Sequence, residues 1–336
     1  MFARRNRSKV EKEVETMVLA IYANNLKIGY LDEEGNILWA VKGVDLEIEE
    51  KAVFCIVGES GCGKSTLGYA ITGILPPYAI THGKLYIFNK LVINDDTRDY
   101  TGIRGRVVTY IPQNPGTSLN PYLTIEDQFY YVLKSIYNYD RERARKIAHE
   151  YLSEVELEPG KVLDHYPHEL SGGMQQRVAI ALALSTGAKI VVADEPTSAL
   201  DAHLRLSIIK LLTRLKDSEN LTLILITHDM VSSSRICDEI AVMYSGKIVE
   251  KGPGHDMLIA PYHPYTQMLA DAVPILGVKK TLRSMPGETS TSREINGCVF
   301  IHRCPHAMEK CKRNPPIHRI SNHVISCWLY GDVKSE

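Results

Sequence analysis

No stretch of this 336-residue chain approaches the run of about 20 apolar residues that a membrane-spanning helix needs. Its most apolar segments, Leu221 to Ile226 and Val178 to Leu184, have the lengths of a core strand and part of a core helix. The chain also lacks an excess of either charge: 39 Lys and Arg stand against 40 Asp and Glu, for a net charge of -1. With no field to steer a polyanion, a basic nucleic-acid binder is disfavoured. A secretory leader is missing too, because Met1 to Lys12 are rich in Arg and Lys but have neither the apolar stretch nor the small-residue cleavage site. Residues 1–16 read as a solvated basic tail, with Met17 as an alternative start just before the first strand-like run, Ala20 to Tyr30. Internal repeats and low-complexity tracts are absent as well.

What is present is ordinary for a globular protein, with 44% hydrophobic and 24% charged residues. Single cores stop growing near 250–300 residues, so the length predicts one large domain and a smaller appendage. Short apolar runs alternate with helical patterns from about residue 20 to 260, which predicts an α/β domain with a largely parallel core sheet. Val53 to Val57, Ile190 to Ala193 and Leu221 to Ile226 are the buried-strand candidates. The patterns Ile125 to Tyr137 and Arg141 to Glu154 predict a helical subdomain at about 114–170, inserted into that core. After Gly252, prolines at 253, 261, 264, 274, 286, 305, 315 and 316 break any long periodicity. This places a boundary near residue 255, dividing a 17–255 domain from a 256–336 domain.

Gly58-Glu59-Ser60-Gly61-Cys62-Gly63-Lys64-Ser65-Thr66 fits the phosphate-binding loop, after an apolar strand and before a helix-compatible run to Ile74. The glycines let backbone N–H groups close around phosphates, and the helix start adds partial positive charge. In that pattern Lys64 reaches the β and γ phosphates of a nucleotide, and Ser65 offers a hydroxyl to Mg²⁺. A second apolar run ends in Asp194-Glu195. A solvated turn is the ordinary reading of such a pair, but its order after the phosphate loop points to Asp194 holding Mg²⁺ and Glu195 positioning or deprotonating the attacking water. Ahead of that strand stands Leu170-Ser171-Gly172-Gly173-Met174-Gln175-Gln176-Arg177, with Ser171 placed as an N-cap and the glycines leaving N–H groups open to an anion.

Together these residues closely resemble the ABC ATPase family over roughly residues 20–260. The resemblance implies a P-loop fold of ABC type with an N-terminal antiparallel β subdomain. It also implies a sandwich dimer, in which Ser171, Gly172, Gly173 and Gln175 of one subunit cap the ATP held by the other. Gln113 in Ile111-Pro-Gln-Asn-Pro115 looks like the glutamine loop that touches Mg²⁺ and water, and His228 in Ile226-Thr-His-Asp229 like the switch histidine. Ser198 to Asp201 resembles the loop linking the half-sites. Tyr30 is the residue expected to stack on adenine, with Trp39 a weaker alternative. Cys62 stands where the family usually has a small polar residue, and a thiol there is expected to sensitise the site to alkylation.

Pro261-Tyr-His-Pro-Tyr265-Thr266, Met285-Pro-Gly287 and Gly297-Cys298 to Cys304-Pro305 follow in order. This series resembles the C-terminal region of peptide-class importer ATPases, the dipeptide and oligopeptide permeases. By that resemblance the partners are a second, related ATPase subunit, two transmembrane permease subunits and an extracytoplasmic substrate-binding protein, at the cytoplasmic membrane face. Peptides are the expected cargo, with di- or oligosaccharides or nickel as alternatives. Cys298, Cys304, Cys311 and Cys327 could complete a tetrahedral Zn²⁺ or hold a 4Fe-4S cluster. The cluster is favoured, because some members of this class carry one and the tight C-x2-C pair usual for zinc is missing. Cys55, Cys62 and Cys237 are scattered. A soluble ABC ATPase acting on nucleic acid is the rival reading, but it predicts a coiled-coil insertion, a second cassette or a basic face, and none is present.

Overall fold

The computed structural model describes residues 19–198, 202–272 and 296–331. The basic tail, Met17, Asp201 and the Met285-Pro286-Gly287 run lie outside the described residues.

Two long strands open the chain, β1 (Leu19–Leu31) and β2 (Ile37–Glu49). The Asp32 carboxylate accepts the N–H groups of Glu34 and Asn36 and closes the turn between them. After β3 (Val53–Val57) come β4 (Ile80–Ile87), β5 (Lys90–Asn94) and β6 (Thr97–Arg98), giving an antiparallel sheet in the order β2-β1-β4-β5-β6. Ile21, Leu26, Ile28, Val41 and Leu46 cover one side of the Lys64–Thr72 helix through Leu67 and Ile71.

The second sheet carries the chemistry. β3 joins β7 (Val108–Ile111), β8 (Ile190–Asp194), β9 (Thr222–Thr227) and β10 (Glu239–Tyr244) in parallel, in the order β10-β3-β9-β8-β7. Every residue of β3 and β8 is buried, as continuous apolar runs between two covering layers require. Cys55 on β3 and Cys237, both read from sequence only as scattered residues, lie side by side with Cα atoms 5.9 Å apart.

Two helices form where the apolar spacing predicts them, Ile125–Tyr137 and Arg141–Glu154. Thr124 caps the Ile125–Tyr137 helix by accepting the Asp127 N–H, and Asp140 caps Arg141–Glu154 by accepting the Arg143 N–H. Phe129, Ala148 and Leu152 pack with Val178 and Ile180 of the Gly172–Leu184 helix in one apolar cluster.

Beyond residue 253 the composition changes but the core does not. Strand β11 (Lys247–Pro253) pairs with β10 on one side and with β13 (His323–Ser326) on the other, and β12 (Ile317–Ile320) completes an eight-stranded sheet. Tyr265, on the Pro264–Asp271 helix, and Phe300 are fully buried in the cluster that contains Val57 and Val242. The C-terminal region is thus anchored on the edge that β11 exposes.

Candidate functional site

The phosphate loop leaves the end of β3 and enters its helix at Lys64, with Gly61 and Gly63 at φ 77° and 103°. A Cβ at Gly58 would lie 2.2 Å from the Met243 carbonyl, and one at Gly63 equally near that of Ala40, so only glycine lets the loop sit this low on the sheet. The Lys64 ammonium is buried and donates to the carbonyls of Gly58 and Glu59, each at 2.8 Å.

Asp194 ends β8 beside this loop. Its Oδ2 accepts the Tyr110 hydroxyl at 2.9 Å, whereas its buried Oδ1 has no hydrogen-bond partner among the described residues. Burial pushes the carboxyl up, against the opposing influence of the nearby Ser65 and Tyr110 hydroxyls. A half-satisfied buried carboxylate next to a serine hydroxyl suits a divalent cation, which would supply the missing partner. The residues present therefore fit Mg²⁺.

Glu195 follows at φ 42°, a conformation in which a non-glycine residue is strained, held by its N–H to the Ile226 carbonyl at 2.8 Å. The strain aims its carboxylate at two other loops. The Gln113 amide donates to Oε2 at 3.1 Å, and His228 Nδ1 lies 3.2 Å from Oε1. Three residues widely separated in sequence thus meet at one carboxylate near the phosphate loop. Gln113 meets Glu195 here rather than Asp194.

Tyr30, at the end of β1, lies near Thr66 of the phosphate-loop helix and edge-on to Tyr78, with ring centres 6.2 Å apart, and burial raises its phenol. Trp39 instead lies against Lys27 and His82, with ring centres 6.0 Å from the ammonium and 5.4 Å from the imidazole. Ser171 caps its helix by accepting the Met174 N–H, and a Cβ at Gly172 would meet nothing within 4 Å, so that helix start is open. Gln175 is used internally: its amide donates to the carbonyls of Pro167 and Leu170. Ser198 is exposed, with its N–H on the Glu195 carbonyl.

Cys62 corrects the expectation of a reactive thiol. It is 1% exposed, and burial raises its pKa despite the nearby Lys64, so the thiolate that alkylation needs is suppressed. Two further residues escaped sequence reading: Tyr110, whose hydroxyl orients Asp194, and Arg303, whose guanidinium reaches Glu59. Neither lies in a phosphate-binding motif; Arg303 falls in the Gly297-to-Pro305 run, which carried the resemblance but gave no sign of contact with the phosphate loop.

Among the described residues, no group of three or more His, Cys, Asp or Glu side chains has the geometry to hold a metal ion. The four C-terminal cysteines nevertheless share one neighbourhood. Burial raises Cys298 to about 11, and the charges of Cys311, Cys327 and Cys304 add to the effect. Burial raises Cys304 and Cys327 as well.

The family described as ABC transporter matches residues 41–198, and the oligopeptide/dipeptide transporter C-terminal region matches 249–311. The chain is 38% identical to the dipeptide transport ATP-binding protein DppD of Bacillus subtilis, covering 93% of this chain and 95% of that one. It is 36% identical to the oligopeptide transport ATP-binding protein OppD of Escherichia coli, over 88% and 89%. A solved dimeric bacterial ABC transporter cassette superposes with TM-score 0.61 at 33% identity, covering 69% of this chain and 98% of that structure.

Proposed function

The chain belongs to the ATP-binding subunits of ABC transporters, in the oligopeptide/dipeptide class, and we propose that it drives peptide uptake by closing over ATP with a second subunit. It is an ATPase coupled to transport. The observation that carries the site assignment is the meeting of Gln113 and His228 on the Glu195 carboxylate beside the phosphate loop.

In the proposed reaction Lys64 exchanges its two loop carbonyls for phosphate oxygens as ATP enters. Asp194 and Ser65 would hold Mg²⁺, which would supply positive charge against the phosphates. Glu195 orients and deprotonates the attacking water, while Gln113 and His228 hold that carboxylate and meet the γ-phosphate side. Tyr30 stacks on the adenine. The open helix start at Ser171, Gly172 and Gly173 caps the partner's nucleotide, and the loop at Ser198 and Asp201 links the two half-sites.

The second ATPase is proposed to be a related but different chain. Two permease subunits and an extracytoplasmic binding protein complete the importer, with this chain on the cytoplasmic face. Dipeptide and oligopeptide transport in the relatives' names favours peptide cargo over the sugar and nickel alternatives. The four C-terminal thiols are proposed to hold a 4Fe-4S cluster rather than zinc; their shared buried neighbourhood supports this, they would have to draw closer than they stand in this structure to do so, and no catalytic step depends on it.

Glu195→Gln should trap an ATP-bound dimer, lowering turnover at least a hundredfold with ATP binding retained. Size-exclusion chromatography with MgATP and phosphate release measure the two effects. Unimpaired turnover removes Glu195 from its role.

A further inference from the structure

Glu59 is the second residue of the phosphate loop, and all three of its polar groups are engaged. Its N–H donates to the Tyr265 hydroxyl at 3.1 Å, its carbonyl accepts Lys64 at 2.8 Å, and its carboxylate takes both arms of the Arg303 guanidinium at 2.8 and 3.0 Å. Two of the three ties therefore come from the C-terminal region.

Arg303 lies one residue before Cys304, and its side chain is only 8% exposed. The guanidinium sits 5.7 Å from the Tyr244 ring centre and donates to that hydroxyl at 3.3 Å. Tyr244 packs in turn on Tyr265 and Phe300, with ring centres 4.7 and 5.1 Å apart. A planar fork gripped this way fixes direction as well as charge.

We propose that Arg303 is a positioning residue for ATP binding, acting through Glu59 to set the first turn of the phosphate loop and to neutralise a carboxylate beside the incoming polyphosphate. Glu59 and the phosphates carry the same sign, so without Arg303 the carboxylate repels the nucleotide and competes for the Lys64 ammonium. The cysteine-bearing loop thereby acquires a direct line to the ATP site. This rests on the ATP-site assignment above.

The test is a double-mutant cycle on the full-length chain. MgATP affinity is read by isothermal titration, and KM and kcat are read in the assembled transporter. Arg303→Ala should weaken MgATP binding and raise KM about tenfold, with kcat within about threefold of wild type. In a Glu59→Gln background the same substitution should shift affinity less than about threefold, since no charge remains to neutralise. Wild-type affinity in Arg303→Ala overturns the proposal, as does an equal loss in both backgrounds, which marks a merely structural role. If Arg303→Ala does not fold, Arg303→Lys in the two backgrounds gives the same decision, with a smaller loss confined to the Glu59 chain supporting the proposal. Lys64→Ala separates the premises: if it still binds MgATP normally, the ATP-site assignment falls whatever Arg303 does.

Discussion

The nucleotide-binding core and the C-terminal region share one sheet and one apolar cluster but differ in how much buried polar contact holds them. In the core, β3 and β8 are buried along their whole length, and Asp194 and Glu195 stand at the end of a strand already fixed by apolar packing. Strands β12 and β13 have four residues each, and every residue of β12 is at least partly exposed. To the apolar anchors Tyr265 and Phe300 this region adds a set of buried polar ties. Glu250, fully buried, accepts the N–H groups of Tyr262 and His263 and lies 2.8 Å from His323 Nδ1. Apolar burial varies little with protonation, whereas such ties depend on it. The catalytic scaffold thus stands on a condition-tolerant core, and the tail adds contacts that depend on protonation.

The largest expected effect tests the thiols. Anaerobically purified full-length protein should absorb in the visible region of thiolate-bound iron, and Cys304→Ser should abolish that absorption. Hydrogen exchange should then rise across residues 296–331 while β3, β8 and β9 stay protected. A colourless wild-type protein containing zinc overturns the cluster, and equal loosening of the core breaks the comparison itself.

The two regions also differed in how far the sequence made them legible. The phosphate loop, Asp194-Glu195 and the Ser171 helix start are local, since each function rests on neighbouring residues and a strand or helix boundary. The helices at Ile125–Tyr137 and Arg141–Glu154 were legible for the same reason, through apolar spacing and their caps. The hydrogen bond from Tyr110 to Asp194 joins residues 84 apart, and that from Arg303 to Glu59 joins residues 244 apart. No pattern along the chain encodes such pairings. The prolines after 253 suggested a separate unit because they break periodicity, yet pairing of β11 with β13 depends on an edge that only the folded sheet presents. Cys62 was misread because its reactivity is set by burial, which the motif does not show.

Acid should separate the regions next. Burial lowers the pKa of His263 to about 4, the Glu250 charge only partly opposing it, and Nδ1 accepts the Tyr265 N–H, which a protonated ring could not do. The unfolded chain takes up this proton near pH 6.5, before the folded chain does, so stability falls as pH drops from about 6.5 to about 4. One such group contributes about 3 kcal/mol over that window. Burial disfavours the Glu250 carboxylate, but His323 and the backbone donors outweigh it and hold its pKa below the ordinary glutamate value. Its contribution is present above that ordinary value and is lost as pH falls further. Thermal melting should therefore be flat from pH 8 to 7 and decline below 6.5, with His263→Asn flattening the upper part of the decline. A wild-type profile level down to pH 5 would remove the polar attachment from the comparison.

The smallest effect is a matched pair of single deletions, one in each region. Thr124→Ala removes the oxygen that accepts the Asp127 N–H at 3.2 Å in the helical insertion, and Tyr330→Phe removes the hydroxyl that donates to the Tyr262 carbonyl at 2.6 Å in the tail. Each should cost about 1 kcal/mol in chemical denaturation. They should differ in reach. The Thr124 cap serves one helix whose Phe129 and Leu133 are independently buried, so its loss should leave the acid profile of the protein unchanged. Tyr330 closes on Tyr262, whose own N–H is bonded to Glu250, so its loss should move the acid decline to higher pH. Identical pH profiles for the two variants would mean that the tail's polar ties act singly, because a connected network transmits the loss of one member to the titration of another.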